Sequence, residues 1–295
     1  MMLSIFACDD VPTTKVELPF ADGVELFIRR EDLLHPEISG NKFRKLKYNI
    51  QAALASDCQQ LLTFGGAYSN HIAATAAAGR LFGIKTIGVI RGEEIERIYL
   101  DNPTLKKASA DGMRFKFVTR TAYRTKESQS FLADLKREFG DFYLVPEGGT
   151  NSEAVRGTQE ILQEGDQQYT HICCAVGTGG TIAGIINRSW SHQKVMGFPA
   201  LKGDFLTEAI AQYAQQDNWS LVSAYHFGGY AKYNADLLHF ISEFERNTGI
   251  LLDPIYTGKL LFGIFDLIER KQFAKNSKIL AIHTGGLQGW NEKIK

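Results

Sequence analysis

"HICCAVGTGGTIAG", His171 to Gly184, decides the fold class. The run from His171 to Val176 is almost wholly apolar, and a loop of glycine and threonine then leads into a segment that can be helical. An unbroken apolar strand entering a helix through a tight turn belongs to a parallel sheet covered on both faces, where neither face of the strand meets water. The same alternation extends in both directions. Strand-like runs "VELFIRR", "LLTFGG", "TIGVIRG", "FKFVTR", "FYLVPEGG", "LVSAYHF" and "KILAIHTGG" are interleaved with helix-like stretches over residues 41–56, 70–83, 128–140, 152–165, 178–191, 235–249 and 259–271. The fold class is therefore α/β.

The 295 residues suffice for a well-buried core in two domains or one large unit. Thirty-three basic and thirty-three acidic residues give a formal net charge of zero, which points away from nucleic acid or an anionic membrane and towards a small substrate. The four cysteines form no C-x-x-C pair, and Cys173 and Cys174 lie within an apolar strand, so neither a zinc site nor a disulfide framework is expected. The opening "MMLSIFACDD" lacks a basic segment, and no run approaches the roughly 18 apolar residues of a membrane span. These features lead us to expect a soluble cytoplasmic protein.

Glycine-rich turns follow four strands, at Gly65-Gly66, Gly148-Gly149, Gly177 to Gly180 and Gly285-Gly286. One such turn only lets the chain reverse. Four at the carboxyl edge of parallel strands suggest a ligand site, because loops and helix N-termini converge there. In "AVGTGGTIAG" the backbone N–H groups and threonine hydroxyls suit a phosphate. A dinucleotide fingerprint would need a small residue at Ile182, and no Gly-Lys-Ser/Thr of a nucleotide P-loop occurs, so the phosphate belongs to a phosphorylated cofactor. In "FGGAYSNH", Ser69 or Asn70 caps the next helix. Tyr68, Ser69, Asn70 and His71 together offer more polar groups than one cap requires.

"SGNKFRKL", Ser39 to Leu46, puts cations at a helix start, the end where the macrodipole disfavours them. Lys42 falls at the edge of the apolar stripe formed by Leu46, Ile50 and Ala53. Arg44 and Lys45 are expected to point away from that stripe, and Lys47, past its opposite edge, is the competing lysine. No acidic residue occupies the first turn, so dipole and partial burial both favour the neutral amine, a nucleophile towards an aldehyde. A phosphate cradle with an activated lysine suggests pyridoxal 5'-phosphate.

The ordered set "REDLLHPEISGNKFRKL", "FGGAYSNH", "EGGTNSEAVRG", "AVGTGGTIAG", "DPIYTGK" and "HTGG" resembles the D-cysteine desulfhydrase and 1-aminocyclopropane-1-carboxylate (ACC) deaminase family of pyridoxal-phosphate enzymes. The likeness runs from about Arg30 to Gly286. It implies two open, mostly parallel twisted sheets flanked by helices, with the cofactor in the cleft between a large domain (residues 1–46 and 155–295) and a small one (47–154), and it implies a homodimer. By resemblance, Lys42 joins the cofactor's aldehyde, and Asn70 bonds its ring hydroxyl. Gly177, Thr178, Gly179, Gly180 and Thr181 hold its phosphate. Ser69 serves the substrate carboxylate or proton transfer, Tyr256 faces the substrate, Thr257 and Thr284 lie towards the pyridine nitrogen, and Tyr230 is a second active-site tyrosine.

The stretch 187–219 is compressed relative to the family, and Tyr68 replaces a smaller or amide side chain. The family's ACC deaminases carry a glutamate after the "DPxY" tyrosine and a leucine after the histidine before the last Gly-Gly. Its desulfhydrases have small hydroxyl residues there, as Thr257 and Thr284 are. The expected reaction is thus β-elimination from D-cysteine to pyruvate, sulfide and ammonia. ACC ring opening is the alternative within the class, and cofactor binding without turnover the alternative outside it.

Overall fold

A computed structural model describes residues 5–6, 11–18, 23–56 and 58–287. Its strands form two sheets. The larger contains β1 (Thr13–Val16), β2 (Glu25–Arg29), β7 (His171–Val176), β8 (Lys194–Pro199), β9 (Trp219–Leu221) and β10 (Lys278–Ile282), in the order β1-β2-β10-β7-β8-β9. Only β1, paired to β2, runs antiparallel. The smaller, wholly parallel sheet has β3 (Gln60–Gly65), β4 (Lys85–Arg91), β5 (Arg114–Val118) and β6 (Tyr143–Val145), in the order β5-β4-β3-β6.

The central position of β7 explains its unbroken apolar sequence. Cys173 and Ala175 face a core with Leu260, Leu261 and Ile264 of helix α10 (Thr257–Glu269) and Leu237 and Ile241 of α9 (Ala235–Thr248). Ile172, Cys174 and Val176 face the opposite core, with Ile182, Ile185 and Ile186 of α7 (Gly180–Arg188) and Leu206 and Ile210 of α8 (Phe205–Ala211). Alternate residues thus serve opposite faces, and truncating one of these aliphatic side chains to alanine would cost about 2–5 kcal/mol. The smaller sheet is covered likewise. Helices α1 (Asn41–Ala55) and α2 (Asn70–Phe82) pack Phe43, Leu46, Ile50 and Ala74 against Leu61 and Val145, while α5 (Gln129–Phe139) brings Leu135 to Leu62 and Phe64.

Three local expectations change. "LVSAYHF" is not a strand: β9 ends at Leu221 and a single turn occupies Ser223–Tyr225. Tyr225 turns inward against Phe198 and Phe262 and donates to Asp266 at 2.5 Å, so helix packing uses the apolar run. The helix over 152–165 stops as α6 (Ser152–Thr158), where the Thr158 hydroxyl bonds the Val155 and Gly180 carbonyls and ties α6 to the start of α7. Strands β1 and β8 and helices α3 (Pro103–Ala110), α4 (Arg120–Arg124) and α8 join the expected set. Among the described residues no helix is long and apolar enough to cross a membrane.

Candidate active site

The carboxyl ends of β3 and β6 in the small sheet and of β7 and β10 in the large one converge on a single cavity, into which α1, α2 and α7 point their N-termini. Ser39, Asn41, Lys42, Ser69, Asn70, Gly177, Thr178, Gly179, Thr181, Tyr230, Tyr256 and Thr284 all line it. The sequence pattern had scattered these residues over the length of the chain.

Helix α1 begins without a side-chain cap and without an acidic residue in its first turn. Gly40, at φ +60°, lies so close to the Thr284 carbonyl that a Cβ there would clash, and the Asn41 N–H donates to that carbonyl at 3.2 Å. The helix start is thereby docked on the loop after β10. His283 fixes that loop in turn: its Nε2 donates to Leu251 O at 2.8 Å, and its Nδ1 accepts from Gly285 N at 3.2 Å. From this frame Lys42 Nζ donates to Asn41 Oδ1 at 3.0 Å, and Asn41 Nδ2 donates to Thr181 Oγ1 at 2.8 Å. Burial lowers the Lys42 amine to about 8, close enough to neutrality for the free base to be well populated.

Lys45 corrects the reading of α1. Arg44 and Lys45 are both buried, at 3% and 2% exposure. Arg44 forms a two-pronged pair with Glu31 at 3.0 and 3.1 Å, on the face opposite the cavity chemistry. Lys45 enters the cavity itself, donating to Gly148 O at 2.9 Å and Thr150 Oγ1 at 3.1 Å. Thr150 shares a 2.6 Å hydrogen bond with Thr178 of the glycine loop, and a Cβ on Gly180 would sit 3.2 Å from Lys45 Nζ. Burial, then the charge of Lys42, push the Lys45 ammonium well below the ordinary lysine range. The i, i+3 spacing of Lys42 and Lys45 was the available signal, since such residues share a helix face. Lys47 is no competitor, because Glu160 holds it at 2.8 and 2.9 Å.

Helix α7 starts at Gly179, whose φ of +86° is left-handed, and has neither a side-chain cap nor an acid in its first turn. Its free N–H groups, Lys42, Lys45 and the hydroxyls of Thr178 and Thr181 surround a cavity whose lining, among the described residues, contains no carboxylate. That concentration of donors and cations fits a phosphate dianion. Asn70 adds a second fit: its Oδ1 is buried without a partner, an acceptor positioned for a hydroxyl. Ser69 caps α2, accepting from Ile72 N at 3.3 Å, which leaves its own proton for the cavity.

Thr257 is placed differently from Thr284. Its hydroxyl donates to Asp253 Oδ2 at 2.6 Å and accepts from Asp253 N at 2.9 Å, inside the first turn of α10 and away from the cavity lining. Asp253 is itself saturated by the N–H groups of Ile255, Tyr256 and Thr257. Of the two threonines, Thr284 is the one that lines the cavity. Tyr256 and Tyr230 stand edge to face, ring centroids 6.2 Å apart, and burial pushes the Tyr256 phenol well above its ordinary range. The Tyr230 loop is held by Lys259, which is 1% exposed and donates to the carbonyls of His226 and Gly229, each at 2.9 Å. The "TGK" ending of its motif gave no hint of this distant tether.

His71 is buried beside the cavity. Thr63 gives its proton to Val145 O at 2.8 Å, so His71 Nε2 must donate to Thr63 Oγ1, also at 2.8 Å, leaving Nδ1 as a bare acceptor. Burial, then the neighbouring charges of Lys42 and Lys45, lower its pKa well below the ordinary value, so the ring is neutral.

An amine poised near neutrality beside a cradle that suits a phosphate, where two α/β sheets meet, fits the class of pyridoxal-phosphate enzymes with the type II fold. Comparison with known proteins agrees. The family described as pyridoxal-phosphate dependent enzymes matches residues 9–285, and the chain belongs to it. A Pyrococcus horikoshii protein, provisionally named a 1-aminocyclopropane-1-carboxylate deaminase, is 31% identical over 90% of this chain and 86% of its own. The bifunctional D-cysteine desulfhydrase/1-aminocyclopropane-1-carboxylate deaminase, mitochondrial, of Arabidopsis thaliana is 30% identical over 96% of this chain and 78% of its own. A crystal structure described as an ACC deaminase homologue superposes with a TM-score of 0.80 at 26% identity, covering 98% of this chain and 95% of that one. The protein is a pyridoxal-phosphate enzyme of the D-cysteine desulfhydrase and ACC deaminase family.

Proposed function

We propose that the enzyme catalyses β-elimination from D-cysteine, yielding pyruvate, sulfide and ammonia. The observation that carries this reading is that, among the described residues, the lining of the inner cavity has no carboxylate and includes Thr284, whose side chain is neutral. Pyridoxal phosphate, when bound, takes up the electron pair released at the substrate's α-carbon. A neutral partner at the pyridine nitrogen leaves that electron sink weaker than a carboxylate partner would. Loss of a thiol, whose pKa is about 8.5, asks less of the sink than opening an unactivated carbon ring.

The chain's own groups have separable tasks. Lys45, Thr178, Thr181 and the N-terminus of α7 hold the phosphate. Asn41 orients the Lys42 amine, and that amine, titrating at about 8, takes the proton from the α-carbon. Ser69 donates its free hydroxyl proton to the substrate carboxylate, together with the N–H groups opening α2. Tyr256, which lines the cavity and stays protonated through the neutral range because burial raises its pKa, is the group assigned to supply the departing sulfur's proton. Tyr230 and Tyr256 also shield the site from water.

The test is a product assay on purified protein given D-cysteine, L-cysteine and ACC, with sulfide, pyruvate and 2-oxobutanoate measured separately. Sulfide and pyruvate in equal amounts from D-cysteine, with little 2-oxobutanoate from ACC, are expected. Efficient 2-oxobutanoate formation without sulfide from D-cysteine would overturn the proposal.

A further inference from the structure

The inner cavity opens into a second chamber of about 650 Å³, within the range that drug-sized ligands fill and far larger than cysteine needs. The two share Tyr68, Ser69, Thr178, Tyr230 and Tyr256, so a molecule held in one extends directly into the other. Among the described residues four aromatic side chains are exposed: Tyr68, Phe205, Tyr230 and Tyr233, at 51%, 53%, 42% and 37%. All four line this chamber. They come from three separate segments, the loop after β3, the start of α8 and the loop before α9, so their meeting is a product of the fold and not of one apolar stretch. Solvent-facing rings gathered in one concavity beside a reaction centre mark a binding surface for an apolar, flat group.

Resting on the β-elimination reading, we propose that the enzyme also takes cysteine thioethers whose sulfur bears an aromatic substituent, the substituent occupying the outer chamber between Phe205 and Tyr233. With the amino-acid head in the inner cavity, a β-substituent can pass the shared Tyr68 and Tyr230 into the outer chamber. In the reaction the α-carbon to hydrogen and β-carbon to sulfur bonds break and the sulfur leaves as a thiol carrying a proton. The remaining enamine takes up one water to give pyruvate and ammonium, so no oxidant or reductant is required.

The test compares S-benzylcysteine with S-methylcysteine on the cofactor-loaded enzyme, in whichever configuration yields pyruvate from cysteine. A preference of at least about tenfold in kcat/KM for the benzyl compound is expected, the discrimination a well-formed apolar pocket supports. Phe205→Ala and Tyr233→Ala should each reduce that preference several-fold while leaving S-methylcysteine turnover unchanged. Equal kcat/KM for the two compounds, or a preference that survives both substitutions, overturns the proposal. So does a change in molecular mass in these variants without a change in preference, since the rings then cover an interface between copies. If no amino acid yields pyruvate, the β-elimination reading fails by itself. The chamber is then tested by the binding of the same two compounds, followed by cofactor absorbance: tighter binding of the benzyl compound that Phe205→Ala abolishes upholds it, and equal binding overturns it.

Discussion

The inner cavity and the outer chamber share a wall but follow opposite rules. The inner one is built from small residues, helix N-termini and two desolvated amines, several of its polar groups aimed by a neighbour, as Lys42 is by Asn41 and Asn41 by Thr181. The outer one is lined by exposed rings, with Arg91 and Glu147 at its rim. Hydrogen-bonded, desolvated groups have one workable arrangement, whereas apolar walls accept any occupant of suitable size and shape. In the proposed reading the chemistry belongs to the inner cavity, and the choice of β-substituent to the outer.

The largest effect should follow Lys42→Ala. Loss of the visible cofactor band and a fall in elimination of about a thousandfold or more are expected, the scale of removing a central acid-base group. Retention of both band and rate would shift the chemistry out of the inner cavity. Lys45→Met is expected to weaken cofactor affinity by roughly ten- to a hundredfold, the worth of a charged hydrogen bond to phosphate, as read by absorbance titration of the cofactor-free protein. An unchanged dissociation constant would remove Lys45 from the cradle.

The two threonines sharpen the boundary of the cavity. Thr257→Val breaks the bond to Asp253 and should cost about 1–3 kcal/mol of unfolding free energy while altering the rate little. Thr284→Val should instead shift the cofactor's absorbance and the rate with little change in stability. Denaturant titration paired with kinetics separates them, and the reverse pattern would return Thr257 to the site.

A weaker signature lies in the pH dependence of the cofactor-free protein. Lys42 and Lys259 titrate at about 8 in the fold, against about 10.4 when unfolded. Between those values the unfolded chain binds more protons, so stability should rise from pH 8 towards 10. Above about 10 the raised Tyr256 phenol reverses the slope, because the unfolded chain then loses a proton that the folded one keeps. Thermal unfolding at pH 7, 8, 9 and 10 tests this, and a Lys42→Met variant with an unaltered profile would deny the amine its desolvated position. The smallest effect belongs to Lys47→Ala, outside both regions: the band stays, and loss of the partly exposed pair with Glu160 costs at most about 1 kcal/mol.

What the sequence disclosed and what it hid follow from the range of the interactions. The strand β7 and the loop into α7 were legible because burial on both faces and a left-handed turn impose local composition, an apolar run and a glycine at 179. The cation at the head of α1 was legible for the same reason, as a residue at odds with its own helix. Lys45 was not. A wheel drawn for one apolar stripe assumes one buried side, yet α1 is enclosed by the small sheet on one flank and by Gly148, Thr150 and α6 on another. Thr257 misled in the opposite sense: its place in the family motif implied the cavity, but a local bond to Asp253 takes its hydroxyl first. The outer chamber was only half legible: Tyr68 and Tyr230 stood out in the sequence, but Phe205 and Tyr233, from segments far apart in the chain, did not.

The assignment of the covalent site to Lys42 is tested most directly by borohydride reduction of the cofactor-loaded enzyme, followed by proteolysis and mass analysis of the labelled peptide. The pyridoxyl group should sit on Lys42. A label on Lys45, Lys47 or Lys259 would contradict the reading of the inner cavity from which the rest is built.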